Sequence, residues 1–544
     1  MTDQALIIAG HGSHRNSDSA TPTHVAVDAA RERGAFAEVR PAFWKEAPSF
    51  REVCHTVDAD EAVVVPLFVS EGYFVEQVLP REFGLGERDR GADGPDFRYA
   101  DPVGTHSAMT DVIAERAKRL LSGEADDVTD DAGPVAPEDA ALAVVGHGTE
   151  RNPNSADAVY QHVEALRERG EFAEVDALFM DEAPYVEDVR EEFDADEIAV
   201  VPLFVADGFH TQDEIPELLG LTDDPETGYP VPATVGDRRV WYASAVGTDP
   251  LVIDVVLERA AEAGADVEAS AETDRPVRAD AGAAFLDWVD AGDANDDAAD
   301  AEAGTRVWGE LAVTAAGEGY DLRHRDDRGA SADDLDDLSI GDLREAVRYA
   351  DDGRYRPFAG EASLPTGWVL SDLDREGLLR AAATVYPAGV EHWAADRAGD
   401  LDPVPFRAVA DRQTGIYECV ADCSPAEVAG AVEAVCGNCA KRRAWDAGDA
   451  ESESPDCGGS PAGDEGAVPC REPCSFLVAA AREFHQHEGE PTANEDAGTS
   501  ATRADPTVPR GDLTDPANRY RARYRRARET ARQPTDPTET ESRP

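Results

Sequence analysis

The sequence contains a tandem duplication, which constrains its architecture more than any other feature. The turn Gly10-His11-Gly12-Ser13 is matched by Gly146-His147-Gly148-Thr149, an offset of 147 − 11 = 136 residues. The same offset relates residues 46–48 to 182–184 and residues 65–69 to 201–205. Two copies of one unit that face each other would enclose a cleft, and the positions where they differ indicate which copy has kept the chemistry.

Each copy reads as a strand, a Gly-His-Gly turn, a helix, a strand, a helix and a strand. The strands, such as residues 61–65 and 198–201, are apolar runs without polar alternation. Strands of this kind separated by helices predict a parallel sheet covered on both faces. We therefore expect an α/β fold of two half-domains, residues 1–122 and 140–263, that form a cleft and are joined by an acidic linker at 123–139.

The repeat register is lost after a second linker at residues 264–279. Residues 280–409 are expected to form a small α+β accessory domain, in which we identify no chemistry. Residues 415–487 are expected to form a cysteine-rich domain. The tail, residues 488–544, is rich in Pro, Thr, Asp and Arg and is expected to be disordered.

The charge balance indicates a protein adapted to concentrated salt. The 544 residues carry a formal charge of −63, yet 42% of them are hydrophobic, which favours packed domains over a disordered chain. At 1 M salt the Debye length is about 3 Å, so the self-repulsion of such a chain is screened. We expect no binding to nucleic acid or to an anionic membrane. The sequence has no run of about 18 apolar residues and no basic leader, so we expect a cytoplasmic protein.

Histidines form the first candidate site. Both Gly-His-Gly turns follow an apolar strand, at the edge where parallel sheets place their ligands. Gly208-Phe209-His210 in the second copy corresponds to Gly72-Tyr73-Phe74 in the first, so only the second copy has two imidazoles. We therefore expect His147 and His210 to bind a metal ion, with His11 as a less certain ligand.

The chain resembles the class II chelatases of tetrapyrrole synthesis, specifically the sirohydrochlorin cobaltochelatase family of the CbiX type. The resemblance covers roughly residues 4–260 and rests on the two Gly-His-Gly turns and on Val201-Pro202-Leu203-Phe204-Val205 leading into Gly208-Phe209-His210. It implies that the protein inserts a divalent metal, most often Co²⁺, into sirohydrochlorin or a close relative during cobalamin synthesis. His147 and His210 would then be the catalytic, metal-holding residues.

The chemistry of insertion explains these residue types. Neutral imidazoles bind Co²⁺ without trapping it, and one of them can accept a pyrrole proton afterwards. Asp213 and Glu214 could orient His210, although we favour solvated side chains for both. Arg15 and Arg151 follow their turns at equal spacing and are expected to bind substrate carboxylates.

Two alternatives remain open at this point. Imidazole accepts Fe²⁺ as readily as Co²⁺, so a sirohydrochlorin ferrochelatase for sirohaem fits the same residues. A non-catalytic metal carrier or redox iron-sulfur protein on a chelatase fold is the other alternative. Because the unit is duplicated within one chain, a single chain can form the cleft for which a shorter single-copy relative would need a dimer. We therefore expect a monomer or a weak homo-oligomer.

Cysteines form the second candidate site, because seven of the eight lie between Cys419 and Cys474. The pairs Cys436/Cys439 and Cys470/Cys474 could close a sulfur tetrahedron around Zn²⁺ or a [4Fe-4S] cluster. The segment resembles the iron-sulfur domain found behind chelatases of this type, which favours [4Fe-4S] over Zn²⁺. We treat Cys419 and Cys423 as alternative ligands, doubt a ligand role for Cys457, and expect Cys54 to be a small buried apolar side chain.

Overall fold

A computed structural model gives the fold of most of the chain. It describes residues 3–85, 95–129, 133–148, 154–222, 225, 228–268, 274–291, 304–317, 319–358, 363–401, 404–413, 415–437, 439–445, 467–468 and 470–486. Our expectations for Arg151, Cys457 and the tail therefore lie outside the described residues.

The first copy forms a four-stranded, fully parallel sheet in the order β2-β1-β3-β4. Its elements are β1 (Gln4–Gly10), α1 (Thr21–Arg33), β2 (Glu38–Phe43), β3 (Glu61–Pro66), α2 (Leu79–Glu82), β4 (Asp96–Tyr99) and α3 (Met109–Ser122). Every residue of β1 is buried, as expected for a central strand with helices on both faces.

The second copy repeats this arrangement. Its elements are β5 (Ala140–Gly146), α4 (Asn154–Arg169), β6 (Glu174–Phe179), α5 (Val189–Glu192), β7 (Glu197–Pro202), α6 (Ile215–Leu218), β8 (Ala233–Val235), β9 (Arg238–Tyr242) and α7 (Val252–Glu262). The strand order is β6-β5-β7-β9-β8. Gln4 pairs with Glu61 and Ala140 pairs with Glu197, so the sheet register repeats the 136-residue offset.

Two details differ from our expectation of three strands per copy. Each sheet gains a further parallel strand, β4 or β9, and β8 adds an antiparallel edge. We missed β4 and β9 because Asp96–Tyr99 and Arg238–Tyr242 each begin with charged residues and lack the continuous apolar run that we used to identify strands.

The two copies exchange their last helices. α3 packs on the second sheet, and α7 packs on β3 and α1 of the first copy. Arg116 of α3 donates to the carbonyl of Ser244 and to Thr248, while Arg259 of α7 donates to the carbonyl of Pro102 and to Thr105. A hydrophobic core cluster therefore runs through both copies, which form a single folded unit.

The accessory domain is α+β. It consists of α8 (Ala279–Asp290), β10 (Thr305–Trp308), β11 (Leu311–Ala316), β12 (Gly319–His324), β13 (Asp336–Asp337), α9 (Ile340–Val347), β14 (Trp368–Leu373), α10 (Arg375–Val385) and α11 (Gly389–Ala398). The sheet order is β10-β11-β12-β14-β13. Its core is aromatic, with Trp308 and Trp393 each in ring contact with Phe285.

The cysteine-rich unit is helical. It contains β15 (Val404–Pro405), α12 (Phe406–Ala410), the 3₁₀ stretch Gly415–Asp422, α13 (Pro425–Cys436), α14 (Ala440–Trp445), β16 (Ala467–Val468) and α15 (Ser475–Gln486). Phe406 and Val409 pack in this unit's core with Val432 and Leu477. The sequence placed residues 404–409 in the accessory domain. That boundary is wrong, because the apolar side chains of α12 pack against α13 and α15.

Both added units lie against the first copy. Arg344 of α9 forms an ion pair with Asp28 of α1, and Lys441 of α14 forms an ion pair with Glu52. His14 stacks on Phe476 of α15 with ring centroids 4.7 Å apart. Within the described residues, no helix is both long and apolar enough to cross a bilayer.

Candidate active site

The structure brings His147 and His210 together. β5 and β7 are parallel neighbours, so the turn after β5, which carries His147, and the loop after β7, which carries His210, meet at one edge of the sheet. The two imidazole centroids lie 5.1 Å apart with an interplanar angle of 84°. His210 begins a π-helical turn, His210–Glu214, and such turns are frequent at functional sites because they redirect side chains within a short helix.

Both rings are held by their Nδ1 atoms. Nδ1 of His147 lies 3.0 Å from the Gly148 carbonyl oxygen, to which it donates, and 3.4 Å from Oδ2 of Asp181. Nδ1 of His210 donates to Oε2 of Glu214 across 2.7 Å. With Nδ1 as the donor in each ring, Nε2 keeps its lone pair for a metal. Glu214 is 37% exposed, and its carboxylate orients His210. The solvated side chain that we favoured for Asp213 is wrong, because Asp213 is buried.

The spacing of the rings suits one bound ion. With metal–nitrogen bonds of about 2.1 Å, ring centres about 1.1 Å beyond the nitrogen and a tetrahedral angle, two imidazoles would have centroids roughly 5.2 Å apart. The side chains of His147 and His210 are 41% and 43% exposed, so an ion can reach them from solvent. Two nitrogen ligands with open coordination positions can bind a metal transiently and release it.

Glycine is required beside His147. Gly148 has φ of +64°, and a Cβ at this position would lie 2.8 Å from Oε1 of Glu182 and from Cβ of Phe179. A side chain here would both strain the backbone and displace Glu182 and Phe179. The glycine therefore keeps the His147 ring in position.

The corresponding site in the first copy lacks the candidate metal ligands of the second. The offset pairs His210 with Phe74, Glu214 with Val78 and Asp181 with Lys45. His11 contacts Phe74 at 5.7 Å between centroids, and burial together with the charge of Lys45 lowers the pKa of His11. A cation beside His11 repels a metal ion, and Phe74 cannot bind one, so the first copy does not reproduce the second.

The change at these positions could have been found from the sequence. We compared only His210 with Phe74, whereas the loss of Glu214 and the change of Asp181 to Lys45 are equally visible at the same offset. The signal was missed because sequence alone does not show that Glu214 and Asp181 contact the histidines.

Aromatic side chains border the site and were not predicted. Phe209 is 47% exposed and lies 5.8 Å from His210 between ring centroids, and its counterpart Tyr73 is 55% exposed. Asn16 of the first copy donates to the carbonyl of Asp207 across 3.2 Å, which ties the first Gly-His-Gly loop to the loop that carries His210. Of the two candidate arginines, Arg15 is exposed on this first loop.

The second candidate site has four cysteines at the junction of two cores. Cys436 ends α13, Cys439 precedes α14, and Cys470 and Cys474 precede α15. Burial and the neighbouring thiols Cys436, Cys439 and Cys474 raise the pKa of Cys470 well above its usual value. Burial raises the pKa of Cys474 to about 12. Buried thiols with raised pKa values ionise only when a metal replaces their protons, which fits a metal-binding role.

These four sulfurs are widely spaced. A tetrahedral Zn²⁺ with bonds of about 2.3 Å holds its sulfurs about 3.8 Å apart. No three of these four sulfurs, all of which the structure describes, lie within 4.8 Å of one another.

Cys54 is half-buried rather than buried, and its thiol donates to the Phe50 carbonyl across 3.3 Å.

Comparison with known proteins assigns the duplicated region. The CbiX family model matches residues 5–120 and 141–263. A probable sirohydrochlorin cobaltochelatase of Halobacterium salinarum is 52% identical over 281 residues, which are 48% of this chain and 93% of that relative. The chain belongs to the CbiX family. A sirohydrochlorin cobaltochelatase of Methanopyrus kandleri is 36% identical over 139 residues, 23% of this chain and 96% of that CbiX relative.

The rest of this CbiX-family chain also has matches. Residues 295–397 match the DR2241 stabilising domain, and residues 398–483 match a 4Fe-4S iron-sulfur cluster binding domain. The crystal structure of DR2241 from Deinococcus radiodurans, a multi-domain protein with structural similarity to chelatases and two additional domains, aligns with a TM-score of 0.71. That alignment has 29% identity and covers 90% of this chain and all of DR2241. The architecture of a duplicated α/β chelatase fold followed by two further domains is thereby confirmed.

Proposed function

We propose that this protein is a sirohydrochlorin cobaltochelatase, a lyase of cobalamin synthesis that inserts Co²⁺ into sirohydrochlorin. The observation that carries the proposal is the pair of imidazoles, His147 and His210, 5.1 Å apart with both Nδ1 atoms engaged. The archaeal relatives from Halobacterium salinarum and Methanopyrus kandleri support cobalt as the metal and sirohydrochlorin as the tetrapyrrole.

In this proposal the histidines hold the incoming ion through Nε2. Co²⁺ exchanges water for two neutral nitrogen ligands, and the ring nitrogens of the tetrapyrrole then replace the imidazoles. Two pyrrole N–H protons leave for each divalent ion inserted, so the macrocycle keeps the charge it had and the two positive charges leave as protons. A released imidazole accepts one proton, and Glu214, 37% exposed and hydrogen-bonded to His210, passes it to solvent, while the second proton goes directly to water.

Substrate binding has to overcome the acidic character of the chain. Sirohydrochlorin carries several carboxylates, which a protein of charge −63 repels. We propose that Arg15 and Arg151 bind these carboxylates and that the exposed face of Phe209, next to His210, packs on the macrocycle.

We propose that Cys436, Cys439, Cys470 and Cys474 hold a [4Fe-4S] cluster, because all four lie in the segment, residues 398–483, that matches a 4Fe-4S iron-sulfur cluster binding domain. Such a cluster supplies a rigid link between four thiolates and, when redox-active, a one-electron couple. Metal insertion transfers no electrons, so a structural or regulatory role is the simplest. Cys470 packs against the accessory core and Cys474 against the core of α13 and α15, so the four residues join the two cores.

The test uses the full chain, purified without oxygen and assayed in concentrated salt with sirohydrochlorin and either Co²⁺ or Fe²⁺. Insertion is measured as a change in the visible spectrum of the tetrapyrrole. We expect it to be faster with Co²⁺ than with Fe²⁺. His147→Ala and His210→Ala should lose most of the activity, while the matched His11→Ala variant should keep it. Full activity in His210→Ala would remove the assigned site, and preference for Fe²⁺ would replace the cobaltochelatase by a ferrochelatase.

A further inference from the structure

A third group of metal-ligand side chains lies in the iron-sulfur domain, apart from the four cysteines. The ligand atoms of Cys423, Glu427 and His485 all lie within 4.8 Å of one another. Cys423 stands just before α13, Glu427 lies in its first turn, and His485 lies in the last turn of α15. The pairing of α13 with α15 brings these residues together from positions 423 to 485 of the sequence.

The three side chains have few other partners. Oε1 of Glu427 and Nδ1 of His485 are buried atoms 3.3 Å apart whose geometry does not form a hydrogen bond. The thiol of Cys423 makes a long contact, 3.5 Å, with the carbonyl of Ala481. The other carboxylate oxygen of Glu427 accepts from the Ser424 backbone N–H in a capping box, which fixes the side chain at the helix start. The ligand atoms of Cys423, Glu427 and His485 therefore have few hydrogen-bond partners and lie close enough together to contact one ion.

This group is separate from the cysteines assigned to the cluster. Glu427 and Cys436 stand near opposite ends of α13, and nine residues of α-helix separate them by about 13 Å. α15 likewise has His485 at one end, while Cys474 precedes the other. One cluster cannot use ligands from both ends, so Cys423 belongs to a different site.

The donor set indicates which ion would bind. Sulfur, imidazole nitrogen and one carboxylate oxygen form a mixed set that suits late first-row divalent ions and disfavours Mg²⁺ or Ca²⁺, which require oxygen ligands. Burial and the carboxylate of Glu427 raise the pKa of Cys423 to about 11, so the thiol keeps its proton until a metal displaces it.

We propose that Cys423, Glu427 and His485 form a mononuclear site for a divalent late first-row transition metal, of the Zn²⁺ or Co²⁺ type, with at least one further position open. The site pins the start of α13 to the end of α15. It does not depend on the function proposed for the cleft, since none of its residues belongs to the duplicated region.

The test is a titration of the cluster-loaded full chain with Co²⁺ alone, without tetrapyrrole and without oxygen. A thiolate bound to Co²⁺ gives a sulfur-to-metal charge-transfer band, which the all-imidazole pair His147/His210 cannot give. We expect one such band per chain, its abolition in Cys423→Ser, its weakening in Glu427→Gln, and its displacement by Zn²⁺. Cys54→Ser is the matched thiol control and should leave the band unchanged, as should the His147→Ala/His210→Ala double variant.

The iron-sulfur absorbance reports whether each variant is folded. Glu427→Gln keeps an oxygen that can cap α13, so it provides a second test should Cys423→Ser lose its cluster. Absence of the band in the parent, or its persistence in both Cys423→Ser and Glu427→Gln with the cluster intact, would overturn the proposal. Loss of the band in the His147→Ala/His210→Ala variant would overturn it as well, because the thiolate signal would then depend on the cleft.

Discussion

Replacement of Glu214 should weaken the metal site without destabilising the fold. Its carboxylate accepts from Nδ1 of His210 across 2.7 Å, which fixes the ring and increases the basicity of Nε2. Loss of such a partner typically lowers metal affinity or activity by about 10- to 100-fold, which is about 1.4 to 2.7 kcal/mol. Glu214→Gln retains an acceptor oxygen but not the charge, so we expect a loss near tenfold. Glu214→Val introduces the residue found in the first copy and removes both the oxygen and the charge, so the loss of affinity should approach a hundredfold.

The expected change in stability is much smaller. His210 and Glu214 are 43% and 37% exposed and are separated by four residues, and such exposed pairs contribute only about 0.3 to 0.5 kcal/mol. The free energy of unfolding should therefore move by less than about 1 kcal/mol in either variant.

The assay measures Co²⁺ affinity by competition with a chelator and the insertion rate with sirohydrochlorin, both in concentrated salt. Glu217→Gln, an exposed carboxylate of α6 in the same segment, is the matched control and should behave as the parent. Parental affinity in Glu214→Val would refute a role for this carboxylate in metal binding. An equal loss of affinity in Glu217→Gln and Glu214→Gln would refute it as well, because the effect would then be one of net charge.

Three further predictions follow from other parts of the structure. Asp181→Lys introduces the residue that the first copy has at this position, Lys45. It should weaken Co²⁺ binding roughly three- to tenfold at low salt and less at high salt, because the carboxylate is 58% exposed and its interaction with the ion is screened. An effect independent of salt would count against an electrostatic role. Gly247→Ala places a Cβ against the backbone of Val205 and should cost about 2 kcal/mol of unfolding free energy. Gly341→Ala on α9, whose Cβ would meet Oγ of Ser339 at an ordinary contact distance of 3.6 Å, should stay within about 1 kcal/mol. Burial raises the pKa of Glu46 from 4.5 to about 7, so its contribution to stability is present below pH 4.5 and lost as the pH rises through 7, by about 3 kcal/mol. Glu46→Gln should remove that pH-dependent loss from denaturation curves measured between pH 4.5 and 8, and equal slopes for parent and variant would contradict it.

Periodicity and motif spacing predicted the central features of the fold. Apolar runs identified the inner strands, and the duplication predicted two similar parallel sheets. The exchange of α3 and α7 could not be predicted, because Arg116 and Arg259 show their cross-copy contacts only once the loops around Ser244 and Pro102 are placed. The swap depends on long-range packing, on which the local pattern carries no information.

At the candidate sites, the sequence located residues but not their relations. The pairing of His147 with His210 follows from strand adjacency, which the pattern predicts. The contact of His210 with Glu214 depends on a π-helical turn, where four-residue spacing does not guarantee the usual helical geometry. The sequence left Cys423 as an alternative cluster ligand, whereas the length of α13 separates it in space from Cys436.

The asymmetry between the two copies has a structural reason. In the first copy the surface that corresponds to the metal site is an interface: Lys45 lies over the ring of Tyr417 at 5.6 Å, and His14 stacks on Phe476 and contacts Ser475 across 2.9 Å. A lysine and an aromatic cluster favour docking of the iron-sulfur domain, and the same residues exclude a cation. Duplication made this possible, because the second copy retains the two histidines and their acidic neighbours while the first copy anchors the added domains. The chain thus combines one candidate metal site and one docking surface from a pair of equivalent loops.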